Sequence, residues 1–136
     1  MTAKEYLSQV RALREDIARI SQEISAREAA IRSAGAVRYD EVRVQTSPMN
    51  RQEEMIVRNF EEKERLLKLQ EAYSAKYLEI ISRLDQMEGQ YRRILKFYYL
   101  DGRGIRWISE RMHYTPESVY TLLWKARKMF EEKFLK

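Results

Sequence analysis

The sequence predicts an all-α protein: a long antiparallel helical hairpin, coiled-coil-like, followed by a C-terminal trihelical helix-turn-helix domain. Three observations carry that expectation. Apolar residues recur at spacings of three and four along two long stretches, the seam that two helices need in order to pair. Only four Gly and two Pro interrupt 136 residues, while 35% are charged, a composition suited to long exposed helices. In the last third, a short amphipathic helix, a tight turn and a longer capped helix follow one another directly.

The first expected helix covers residues 2 to 33. Tyr6, Val10, Leu13, Ile17, Ile20, Ile24 and Ile31 make its seam, and charged residues fill the other faces. Thr2 is placed to cap it and Gly35 to stop it. From Gly35 to Pro48, the residues Val37, Tyr39, Val42 and Val44 alternate with Arg and Asp, which reads as an extended linker. Asn50 would cap a second helix over residues 49 to 87. Its seam is Leu66, Leu69, Tyr73, Tyr77, Ile80, Leu84 and Met87, with Met55, Ile56 and Phe60 as further apolar contacts upstream. Each helix would run roughly 50 Å at about 1.5 Å per residue, and neither can bury its stripe alone. The two pair within one chain or across a homodimer, and both arrangements satisfy the seams. Glu88-Gly89 marks the expected break, giving domains of residues 1–88 and 89–136.

The C-terminal segment places Ile105, Ile108 and Met112 on one face of a short helix, and His113-Tyr114-Thr115 at the turn. Thr115 can cap the next helix, Pro116 suits its first position, and Glu117 complements the positive end of its dipole. Val119, Leu122, Leu123, Ala126 and Phe130 form its apolar stripe. Phe97, Trp107 and Trp124 are expected to pack, as large aromatics usually do.

These residues resemble region 4 of bacterial sigma factors and the sigma-like regulators of phages. Arg92-Arg93-Ile94-Leu95 matches that family's first helix, Gly102 or Gly104 its first turn, and Trp107-Ile108-Ser109 its Glu-Ile-Ala-like core. Thr115 stands for the capping Ser, Val119 for the central Val, and Lys125-Ala126 for the basic-Ala pair. Trp107 replaces the usual acid, Ser109 the Ala, and His113 the turn Gly. The linker, with Tyr39-Asp40 and then Val44-Gln45-Thr46-Ser47-Pro48, resembles that of small phage and prophage proteins ending in a sigma-like helix-turn-helix. The resemblance implies a DNA-binding transcription regulator that contacts double-stranded DNA and either RNA polymerase or a second copy of itself.

Charge points the same way. Residues 89 to 136 hold eleven Lys/Arg against five Asp/Glu, whereas residues 1 to 88 hold fifteen against sixteen, so the excess positive charge sits on the C-terminal module. Glu117, Ser118, Tyr120, Thr121 and Lys125 are the candidates to reach base edges, a carboxylate there accepting from cytosine N4. Arg103, Arg106, Tyr114, Arg127 and Lys128 are the candidates to hold phosphates.

Other chemistries are harder to build. With no Cys and one His, neither thiolate metal sites nor a Ser-His-Asp grouping can be assembled, and no cofactor is expected. Glu53-Glu54, Glu61-Glu62 and Glu131-Glu132 read as solvated faces, and an enzyme is not expected. Asp101-Gly102-Arg103-Gly104 lacks the Lys-Ser/Thr of a phosphate loop, and its glycines read as a turn with positive φ. The start of the chain carries no apolar run of signal-peptide type, and no stretch has the length of a membrane span, so a soluble, cytoplasmic protein without membrane contact is expected. Two other readings remain. A small-terminase-like DNA-packaging component would form a ring of many subunits, and a helical interaction protein would not bind DNA.

Overall fold

A computed structural model describes the backbone of residues 1–41 and 46–136, and the side chains of residues 1–34 and 51–136. The described residues are all-helical. In chain order they form α1 (Ala3–Glu41), α2 (Thr46–Asp85), α3 (Gly89–Leu95), α4 (Ile105–Met112) and α5 (Pro116–Phe130). A π-helical turn extends α3 over Lys96–Leu100, and another extends α5 over Glu131–Leu135. No helix among the described residues is long and apolar enough to cross a membrane.

The extended linker is corrected. α1 runs through Gly35 to Glu41, and α2 already begins at Thr46; only residues 42–45, and with them the expectations for Val42 and Val44, lie outside the described backbone. A glycine inside a helix costs about 1 kcal/mol relative to Ala, too little to end a helix of 39 residues. Pro48 is the third residue of α2, where the backbone N–H it lacks has no intrahelical acceptor to lose. Asn50 therefore lies inside the first turns rather than at the cap. At the other end of α1 the expected cap is present: the Glu5 N–H donates to Thr2 Oγ1 at 3.2 Å.

The chain divides into two compact units, one of Met1–Glu15 with Ala75–Lys136 and one of Asp16–Ser74. The divisions fall inside α1 and α2, not at Glu88–Gly89. In the first unit, Ala3, Tyr6, Leu7 and Val10 of α1 are buried along with Ile80, Leu84 and Met87 of the α2 end and its turn. The Tyr6 ring lies 5.7 Å from Phe130, and the Ala3 N–H donates to Glu131 Oε1 at 2.9 Å. Glu131 is thus a partner for the free end of α1 rather than part of a solvated acidic pair. Tyr6 Oη donates to Glu79 at 3.1 Å; burial, with that bond, pushes the phenol above its ordinary range against the pull of Arg83. These ties explain why the two long helices lend their ends to the C-terminal module.

In the second unit Ile20, Ile24 and Leu66 form a buried cluster, with Leu69 and Tyr73 packed against it. Arg27 Nη1 donates to Asn59 Oδ1 at 3.2 Å, and Lys63 pairs with Glu28 at 3.3 Å. Rising numbers on α1 thus meet falling numbers on α2. The further apolar contacts expected upstream of the seam fail at Met55 and Phe60, which are 56% and 48% exposed. Seven-residue steps back from Tyr73 and Leu66 reach Asn59, so a polar residue takes the inward position and its apolar neighbours turn outward.

Candidate nucleic-acid interface

The candidate surface lies in the first unit. α5 touches both α3 and α4, and its buried residues are the five expected: Val119, Leu122, Leu123, Ala126 and Phe130. α4 contributes Ile108, Ser109 and Met112 to the interior. Between α4 and α5 the chain reverses at His113, which adopts φ 60 and ψ 43, the left-handed conformation that favours glycine. The N–H of Tyr114 donates to the Ser109 carbonyl at 3.0 Å, and the Ser109 hydroxyl donates to the Tyr114 carbonyl. Ser109 and His113 therefore belong to one turn, which Ser109 clamps from inside.

His113→Gly is expected to raise stability by about 0.5–1 kcal/mol, the relief of left-handed strain less the extra freedom of the unfolded glycine. A thermal melt checks this, and a lower Tm would contradict it.

α5 starts as its sequence indicated. Thr115 Oγ1 accepts from the Ser118 N–H at 3.2 Å, and Pro116 occupies the first position. All five base-contact candidates, Glu117, Ser118, Tyr120, Thr121 and Lys125, are exposed. Four of them line an open groove of about 370 Å³ whose other wall is Gln90, Tyr91 and Tyr114. Tyr120 is outside it and 61% exposed. Two hydroxyls already have local partners: Ser118 Oγ accepts from Thr115 at 3.0 Å, and Thr121 Oγ1 donates to the Glu117 carbonyl at 3.0 Å. Glu117, Tyr120 and Lys125 are left as the side chains with functional groups free of such bonds.

Of the phosphate candidates, Arg103, Arg106, Tyr114 and Lys128 are exposed. Tyr114 Oη donates to Gln90 at 2.7 Å, and the Arg103 guanidinium lies 4.6 Å from the Trp107 ring centre. Arg127 is corrected. Half-buried, it donates from Nε to Tyr99 Oη at 2.6 Å and sits over the Tyr98 and Tyr99 rings. Its position next to Ala126 turns it toward the π-helical turn after α3. Burial pushes the Tyr99 phenol up, and the bond from Arg127 acts in the opposite direction.

The aromatics divide. Phe97 and Trp107 meet edge to face, with centroids 5.1 Å apart. Trp124 is not core: it is 58% exposed, with Lys128 Nζ 5.7 Å from its ring. One helical position beyond the buried Leu123, it is rotated off the apolar stripe. Gly102 has the expected positive φ of 67, whereas Gly104 is extended and precedes the first turn of α4.

The sequence did not assign Gln90 and Tyr91 to a groove beside α5. They belong to α3, distant in sequence from the α4–α5 motif, and only tertiary packing brings them to the groove. No family model, curated protein or solved structure matches the chain.

Proposed function

We propose that the chain is a DNA-binding transcription regulator of phage type. In this reading α4, the His113 turn and α5 act as a helix-turn-helix, and α3 completes a trihelical domain resembling sigma region 4. The observation that carries the reading is the exposed face of a capped α5, with Glu117, Tyr120 and Lys125 projecting directly after a left-handed turn. The net positive charge of residues 89–136 supports it. α1 and α2 are read as an antiparallel hairpin, and their function as self-association or RNA-polymerase contact. Exposed Met55, Val57, Phe60 and Leu67 supply apolar surface for self-association. The reading places the protein in the cytoplasm and assigns it no catalysis and no cofactor.

The test is a fluorescence titration with duplex DNA from the protein's own genomic neighbourhood and a scrambled control, at several salt concentrations. The reading expects tighter binding to the native fragment, weakened by salt, with Glu117→Ala reducing the preference. A dimer in sedimentation supports a regulator on paired half-sites, and a large ring favours the packaging alternative.

The exposure of Tyr120 and Trp124 favours a second reading, a protein-interaction module, because such aromatics anchor protein interfaces. Absence of binding to either duplex at low salt would leave that reading standing.

A further inference from the structure

A second cavity in the first unit, about 440 Å³, lies where the first turns of α1 meet the turn between α3 and α4. Ser8 and Arg11 line it from α1, and Tyr98, Gly102 and Arg103 line it from the other side. The backbone favours Gly at 102, and the flexible Arg11 side chain packs over it. The φ there is 67, and a Cβ would stand 2.7 Å from the Arg11 guanidinium, which lies flat against the turn. Arg14 reinforces the junction by donating to the Leu100 carbonyl at 2.9 Å.

Among the described residues, neither Arg11 nor Arg103 is paired with a carboxylate, although Arg19 of α1 pairs with Asp16 and Glu23. Asp101 does not line the cavity. Two guanidinium-bearing side chains line one open space, and an anion there would offset their like charge while accepting from their N–H donors. The Ser8 hydroxyl donates to the Lys4 carbonyl, so it offers no competing donor, while Tyr98 Oη has no partner among the described residues.

We propose that this cavity holds a backbone phosphate of the duplex, with Arg11 of α1 as a DNA contact outside the helix-turn-helix. The proposal rests on the DNA-binding reading above and extends the footprint to the first turns of the chain. The basic rim leads through Arg103 to the exposed Arg106 at the start of α4, and the first helix of such a pair crosses the backbone.

The experiment compares salt titrations of the full chain, Arg11→Gln, Arg11→Lys and Ser8→Glu on native and scrambled duplexes. Loss of one phosphate contact should flatten the slope of log affinity against log salt by about 1, equally on both duplexes. Arg11→Gln is expected to do so, and Arg11→Lys to keep the slope. Ser8→Glu alters an exposed position, so it keeps the test valid even if Arg11→Gln loosens the turn; its carboxylate in the cavity should weaken both duplexes alike. Wild-type binding with unchanged slopes in Arg11→Gln and Ser8→Glu would overturn this proposal alone. No wild-type binding to any duplex would overturn it together with the reading it rests on. Arg11-dependent binding of inorganic phosphate, with duplex slopes unchanged, would assign the cavity to a free anion and likewise overturn it.

Discussion

Phe130→Ala is expected to destabilise the protein by about 3–5 kcal/mol, while Trp124→Ala, six residues earlier on the same helix, changes stability by no more than about 0.5 kcal/mol. Phe130 is fully buried and contacts Tyr6 and Phe134, with centroids 5.7 and 4.9 Å away. Its removal leaves a cavity where α1, α5 and the final π-helical turn meet. Trp124 is more than half exposed, with Lys128 Nζ over its ring at 5.7 Å. Denaturant unfolding of both variants checks the pair. A loss above 2 kcal/mol for Trp124→Ala would mean that this ring is part of the core after all.

The second large effect is on binding. Replacing Arg103, Arg106 and Lys128 together by Ala is expected to flatten the salt slope by roughly 3, and to lower low-salt affinity roughly 100-fold or more. All three side chains are exposed, so the fold should survive. Native and scrambled duplexes should lose affinity alike, because phosphate contacts position without reading sequence. Lys125→Ala should differ by narrowing the gap between the two duplexes, since Lys125 lines the α5 groove. An unchanged slope in the triple variant would sink the DNA reading of this surface.

Arg127→Ala belongs in neither comparison. Removing its guanidinium deletes the bond to the buried Tyr99 hydroxyl, so a loss of stability of about 1–3 kcal/mol is expected and would confound any change in affinity.

The contrast between Arg127 and Lys128 separates what is local from what is tertiary. Both are basic residues near the end of α5, and composition treats them alike. Whether each is free depends on Tyr98 and Tyr99, which arrive from the turn after α3. The same holds for the groove wall of Gln90 and Tyr91, for Glu131 against the start of α1, and for Arg11 against Gly102. Each joins segments far apart in sequence, where periodicity carries no information.

The features legible in the sequence were local. The helical character, the caps at Thr2 and Thr115 and the apolar stripe of α5 all follow from spacing and from which side chains satisfy free backbone groups. The helix limits did not: the β-type residues after Gly35 suggested a linker, because local propensity is weaker than the continuation of a helix already formed. Tertiary packing alone brought the ends of α1 and α2 to the C-terminal helices and turned Arg127 inward. Burial and partner choice depend on residues brought together from opposite ends of the chain, and no local window contains both members of such a pair.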